Sequence, residues 1–82
     1  MLEIKVLGPG CPNCHKLETL CREVVAENNL VAEVEKITKI EDFWKYGIMM
    51  TPGLVVNGKI LTQGKLPTKR TLENWLLREV SP

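Results

Sequence analysis

Two cysteines at positions 11 and 14 constrain the fold more than any other feature of this sequence. They follow an alternating apolar segment, residues 2–7, and precede a long segment with apolar residues at helical spacing. Cysteines so spaced at the start of a helix lie about one turn apart, within the roughly 4.4–6.8 Å between Cα atoms that a disulfide requires. Free N–H groups at that helix end favour a thiolate, and pKa values from about 3.5 to 7.5 are typical of such cysteines. The pattern predicts a strand, a loop and a helix that carry a redox-active pair.

Length and composition restrict the class of protein. The chain has 82 residues, enough for one domain over 1–82, and it is 44% hydrophobic and 26% charged, as ordinary globular proteins are. Its formal net charge of +1 provides no electrostatic footprint for nucleic acid or an anionic membrane. No apolar run approaches the roughly 18 residues of a membrane span, and the N-terminus lacks a signal-peptide layout. We therefore expect a cytoplasmic monomer, in a compartment where paired cysteines are usually catalytic or metal-binding.

The first half of the chain alternates strands and helices. The first helix, residues 12–28, carries an apolar stripe that includes Cys14 and is predicted to end at Asn28-Asn29. Residues 31–37 predict a strand whose charges suit a sheet edge. Thr38 and Glu41 match the capping box of a short helix. That helix is predicted to end at Gly47 and to bury three apolar residues, Ile40, Phe43 and Trp44.

The second half predicts a hairpin and a last helix. Residues 54–56 are wholly apolar, as in a strand covered on both faces. Asn57-Gly58 is typical of a type I′ turn, and residues 59–62 form the returning strand. Thr68 is a suitable N-cap for a helix that places Leu72, Trp75, Leu76 and Val80 on one face. The predicted fold is α/β, in the order β-α-β-α-β-β-α, with a four-stranded mixed sheet flanked by three helices.

This order, together with Cys-x-x-Cys after the first strand and Thr-Pro before the third, resembles the thioredoxin-like fold. More narrowly, the chain resembles the small thioredoxin/glutaredoxin-like family often called redox-active disulfide protein 2. The matching segments are residues 4–8, 10–14, 46–52 and 54–59.

The resemblance implies a thiol–disulfide oxidoreductase that needs no cofactor. In it Cys11 is the nucleophile and Cys14 the resolving thiol. Pro52 follows a cis peptide bond and faces the dithiol, and Thr51 offers its backbone to the substrate peptide. The implied partners are disulfide-containing proteins and an electron donor of the thioredoxin-reductase type.

The sequence departs from the better-known relatives at three places. Thioredoxins typically have Trp before the first cysteine, where this chain has Gly10. Glutaredoxins carry Gly-Gly and acidic residues before the last helix, whereas residues 63–67 here read Gln-Gly-Lys-Leu-Pro, which disfavours glutathione binding. Lys5 stands where thioredoxins bury an acid, and a cation near a thiol would lower the thiol pKa.

Other interpretations of the cysteines are open at this point. Cys-x-x-Cys-His also fits c-type haem attachment, although that would require export and a haem pocket. A small metal-binding or metal-transfer module could use Cys11 and Cys14, but its hairpin would lie in the middle of the chain, and a closed zinc site lacks donors here. Cys21 lies two helical turns after Cys14, too far to pair with it, and is expected to be a core residue. Met49 and Met50 are either filler or an apolar lip beside the Thr-Pro loop.

Overall fold

A computed structural model of the chain describes residues 1–80, and residues 81 and 82 of the predicted domain lie outside the described part. The element order matches the prediction from the sequence. The elements are β1 (Leu2–Leu7), α1 (Pro12–Glu27), β2 (Ala32–Ile37), α2 (Ile40–Lys45), β3 (Gly53–Val56), β4 (Lys59–Gln63) and α3 (Lys69–Val80). Within residues 1–80, no helix combines the length and the apolar character needed to cross a bilayer.

The four strands form one mixed sheet in the order β2-β1-β3-β4. β1 runs parallel to β2 and antiparallel to β3, and β3 pairs antiparallel with β4. β2 is therefore an edge strand, as its charges predict. Because β1 is a central strand, the loop that follows it, and Cys11 and Cys14 at the start of α1, lie at the carboxyl end of a strand with a neighbour on each side.

Each face of the sheet is covered by its own helices. On one face α1 and α3 pack against alternate residues of β1 and β3, and on the other α2 covers the residues between them. The buried residues of the first face are Leu2, Ile4, Val6, Leu17, Cys21, Val24, Leu54, Val56, Leu72 and Leu76. Those of the second are Leu7, Phe43, Ile48 and Val55.

The predicted turns and helix ends are present. Asn57 and Gly58 have φ values of 51° and 83°, as a type I′ hairpin turn requires. The Asn57 side chain also accepts the backbone N–H of Glu3 at 3.0 Å, which ties the hairpin to β1. α1 ends at Glu27 with Asn28 as its C-cap, and the N–H of Thr71 donates to Oγ1 of Thr68 at 3.2 Å, capping α3.

The prediction for α2 is wrong in two respects. Its N-cap is Lys39, without a side-chain capping bond, so the capping box of Thr38 and Glu41 does not form. Ile40 and Trp44 are 63% and 71% exposed, and only Phe43 of the helix is buried. A helix of six residues makes fewer than two turns, so few of its side chains can face the sheet. Ile48, which follows the helix, packs with Phe43 against that face of the sheet.

The apolar face predicted for α3 is partly wrong as well. Leu72 and Leu76 are fully buried and Trp75 is half-buried, but Val80 is 51% exposed because it is the last residue of the helix.

Candidate active site

Cys11 lies at the N-terminus of α1, where its sulfur takes part in capping the helix. The residue has an extended backbone, with φ −69° and ψ 162°, and its Sγ accepts the backbone N–H of Cys14 at 3.3 Å. Pro12 is the first helical residue and has no N–H to leave unpaired. Cys11 is partly exposed. In the reduced pair, the Cys14 N–H group and the positive end of α1 would stabilise a thiolate at Cys11.

Cys14 pairs with Cys11 but lies in a different environment. The two sulfurs form a disulfide, and the Cα atoms of the pair are 5.1 Å apart. Cys14 is fully buried, on the face of α1 that carries Leu17 and Cys21. The pair therefore consists of one partly exposed cysteine and one fully buried cysteine, which is the arrangement that the helical spacing predicts.

Gly8, the residue that follows β1, provides the space for Cys14. A Cβ atom placed on Gly8 would lie 2.1 Å from Cys14 Sγ and 3.0 Å from Cys14 Cβ. Gly8 is buried, and its N–H donates to the carbonyl of Ile37 at 2.9 Å, so its backbone continues the β1–β2 ladder. No local pattern in the sequence indicates the contact of Gly8 with the buried sulfur.

The Thr51–Pro52 segment reaches the same place from the neighbouring strand, because it precedes β3, whose first residue pairs with the last residue of β1. Its peptide bond is cis, the isomer that the family resemblance implies, and Pro52 is buried. The Cβ of Thr51 lies 3.9 Å from the position that a Cβ on Gly8 would occupy. Thr51 and Cys14 therefore border the same point at the end of β1. The structure thus brings together the segments that hold Cys11, Cys14, Thr51 and Pro52.

Gln63, for which no sequence pattern predicts a role, bonds to the two residues that precede Thr51. Its Oε1 accepts the backbone N–H of Met49 at 2.8 Å and that of Met50 at 3.2 Å. Met49 and Met50 themselves are exposed, at 81% and 58%. No sequence pattern predicts that a glutamine at the end of a strand will accept hydrogen bonds from residues 13 and 14 positions earlier.

Three other residues singled out in the sequence, Lys5, Cys21 and His15, do not belong to the disulfide pair. The Lys5 ammonium is 3.4 Å from the Glu35 carboxylate. Partial burial lowers the Lys5 pKa, but the hydrogen bond and charge of Glu35 outweigh this and raise it above the usual value. Cys21 is a free, fully buried cysteine, and burial raises the pKa of its thiol to about 12. His15 is exposed on the first turn of α1.

The donors needed for a metal site are not assembled in the described residues. Among residues 1–80, no group of three or more His, Cys, Asp or Glu side chains is arranged to hold a metal ion. Cys11 and Cys14 instead lie within bonding distance of each other.

A redox-active cysteine pair at the start of α1 on this fold defines a thiol–disulfide oxidoreductase of the thioredoxin-like class. A sequence model of the family described as thioredoxin domain matches residues 2–77. The chain therefore belongs to the thioredoxin family, and its activity is thiol–disulfide exchange.

Two curated relatives agree with this assignment, and one solved structure has the same fold. A thioredoxin from Methanothermobacter thermautotrophicus is 36% identical over 76 residues, which cover 93% of this chain and 99% of the relative. A thioredoxin from Methanocaldococcus jannaschii is 28% identical, over 93% of this chain and 87% of its own. The crystal structure of the germline-specific thioredoxin Deadhead from Drosophila melanogaster superposes with a TM-score of 0.68 at 19% identity. That match covers 94% of this chain and 79% of Deadhead, and it supports the fold.

Proposed function

We propose that Cys11 is the nucleophile of this oxidoreductase and Cys14 the resolving thiol. The observation that carries the assignment is the difference between the two sulfurs. Cys11 is partly exposed and its Sγ accepts the Cys14 N–H at 3.3 Å, whereas Cys14 is fully buried. A substrate disulfide can approach only the exposed sulfur, and the same N–H group stabilises that sulfur as a thiolate.

The reaction proceeds by two exchanges. The Cys11 thiolate attacks one sulfur of a substrate disulfide, so a Cys11–substrate disulfide forms and the other substrate sulfur leaves as a thiolate. Cys14 loses its proton and attacks Cys11 Sγ, which releases the second substrate sulfur as a thiolate. Two electrons have then passed to the substrate, and the protein holds the Cys11–Cys14 disulfide. A separate reductase returns the pair to the dithiol.

Thr51 and Pro52 form the proposed docking site for the substrate peptide. No hydrogen bond among residues 1–80 engages the backbone N–H or C=O of Thr51, although the neighbouring residues on both sides are bonded. Those free groups can pair with an extended peptide that carries the disulfide. The exposed side chains of Met49 and Met50 offer apolar contacts beside it, and Met adapts readily to varied partners.

The proposed partners are disulfide-containing proteins and a donor of the thioredoxin-reductase type. We place the protein in the cytoplasm, as a monomer in which residues 1–82 act as one domain. There it would carry electrons that maintain the cell's thiols in the reduced state. The formal net charge of +1 argues against nucleic acid or anionic membranes as partners.

Trapping of the mixed disulfide tests the roles of the two cysteines. Cys14→Ser, and Cys14→Ala as a second variant of the buried site, should accumulate a covalent complex with insulin chains through Cys11. Attack remains possible in these variants and release does not. Cys11→Ser should trap nothing, and Cys21→Ser, the matched control, should turn over like the wild type. Capture through Cys14 in the Cys11→Ser variant would reverse the assignment.

A further inference from the structure

The segment that leads into β3 is bonded on both sides of Thr51 by the end of β4. Before Thr51, the side-chain oxygen of Gln63 accepts two consecutive backbone N–H groups, those of Met49 and Met50. After Thr51, the N–H of Gly64 donates to the carbonyl of Pro52 at 2.9 Å. Two adjacent residues, Gln63 and Gly64, therefore fix the segment that carries the proposed docking residue.

The position next to Gln63 requires a residue without a side chain. Gly64 has a φ of +76°, and a Cβ added there would lie 3.1 Å from the Cβ of Met50. The side chain of Met50 packs over this glycine, with its sulfur and methyl carbon within 3.4 Å of the same point. Met50 is thus placed by contact as well as by its hydrogen bond to Gln63.

We infer that Gln63 is a positioning residue for protein substrates, acting through residues 49–51 and not through the cysteines. The inference rests on the proposed docking of the substrate peptide at Thr51. Binding costs less when the loop that receives the ligand is already ordered. Gln63 orders this loop because it belongs to β4, and its side-chain carbonyl oxygen accepts two N–H groups of a segment without regular secondary structure.

The role inferred for Gln63 applies to protein disulfides and not to small disulfide reagents. A protein disulfide has to dock its flanking peptide on the loop before Cys11 can reach the sulfur. A small reagent such as 5,5′-dithiobis(2-nitrobenzoate) needs access only to Cys11. Loss of the Gln63 acceptor should therefore weaken turnover of protein disulfides and leave the small reagent unaffected.

Gln63→Met tests this, because Met has a similar length and no carbonyl oxygen. In dithiothreitol-driven reduction of insulin, its kcat/KM should fall about fivefold to tenfold, mainly through KM, since each lost bond is of modest strength. Reduction of 5,5′-dithiobis(2-nitrobenzoate) by the prereduced protein should stay within about twofold of wild type. Gln63→Glu keeps an acceptor oxygen and should restore most of the insulin activity. Lys65→Met, an exposed neighbour, is the matched control and should match wild type.

Amide hydrogen exchange provides a second readout. The N–H groups of Met49 and Met50 should exchange faster in Gln63→Met and in Gln63→Ala, and return toward wild-type rates in Gln63→Glu. Wild-type insulin turnover in Gln63→Met, or an equal loss with both substrates, would overturn the role of Gln63. A wild-type protein that reduces neither substrate would instead overturn the proposed function itself.

Discussion

Cys14 Sγ occupies the space in which any side chain of Gly8 would begin, since a Cβ on Gly8 would lie 2.1 Å from it. The contact joins the end of the central strand β1 to the first turn of α1. Cys14 is fully buried, and protein interiors are close-packed, so its sulfur can move aside only if neighbouring side chains move as well. The depth at which Cys14 sits is therefore limited by Gly8, the residue that follows β1.

Gly8→Ala should displace Cys14 and impair closure of the disulfide. Overpacking of this kind typically costs about 1–3 kcal/mol of the free energy of unfolding. Chemical denaturation should show that loss, and the mixed disulfide with insulin should persist longer because Cys14 attacks Cys11 less readily. Removing the sulfur with Cys14→Ala should relieve part of the cost, so the two changes should be non-additive in a double-mutant cycle. Additive effects would mean that Gly8 matters for a reason other than the sulfur.

The local patterns of the sequence predicted the elements that carry the cysteines but not the contacts that position them. The strand, the Cys-x-x-Cys spacing and the helical stripe fix where Cys11 and Cys14 lie along α1, because periodicity is a local property. The contact of Gly8 with Cys14 arises only when α1 packs on the sheet. The hydrogen bonds that Met49 and Met50 donate to Gln63 depend on where β4 ends relative to β3. An irregularity between Leu54 and Val55 shifts the register that the Asn57-Gly58 turn sets, and no short pattern predicts that shift.

The errors at α2 have a related cause. Thr38 and Glu41 match a capping box, yet the helix begins one residue later and its N-cap is Lys39. In a helix of six residues the apolar positions do not repeat often enough to identify the buried face. Ile40 and Trp44 were therefore assigned to the core, although they are exposed and Phe43 alone faces inward.

In the reduced protein, Cys11 should be the first cysteine to be alkylated. It is the exposed member of the pair and its sulfur accepts the Cys14 N–H, while Cys14 and Cys21 are fully buried. A limiting amount of iodoacetamide at neutral pH should yield one adduct, which peptide mass spectrometry should assign to Cys11. The same reagent in guanidinium chloride should label all three cysteines. Labelling of Cys14 before Cys11 in the folded protein would contradict the assignment of the nucleophile.

Lys5 should have no measurable influence on Cys11. Its side chain forms an ion pair with Glu35 across the β1–β2 pair. Lys5 also lies on one face of β1, whereas the residues of β1 that pack against α1 lie on the opposite face. Lys5→Met should therefore leave the pH dependence of Cys11 alkylation unchanged. The exposed ion pair should contribute about 0–1 kcal/mol to stability, and Glu35→Gln, the matched control, should lose a similar amount. A shift of the alkylation curve in Lys5→Met alone would show that the ammonium acts on the thiolate.

Cys21 should make the protein less stable at alkaline pH. Burial raises the pKa of its thiol to about 12 from 9.0, so the folded state retains the proton where the unfolded chain releases it. This contribution to stability is fully present below the unfolded pKa and is lost as the pH rises toward the folded pKa. The change should approach about 1.4 kcal/mol per pH unit inside that window.

The measurement uses the Cys11→Ser/Cys14→Ala background, in which Cys21 is the sole thiol, with and without Cys21→Ala. The cavity left by Cys21→Ala lowers stability at every pH, so the pH-dependent difference between the two proteins isolates the thiol. Between about pH 8 and pH 10 the protein that retains Cys21 should lose about 1.4 kcal/mol more of its free energy of unfolding than the one that lacks it. Parallel curves would mean that the thiol ionises as readily in the folded protein as in the unfolded chain, and that the interior around α1 admits solvent to Cys21.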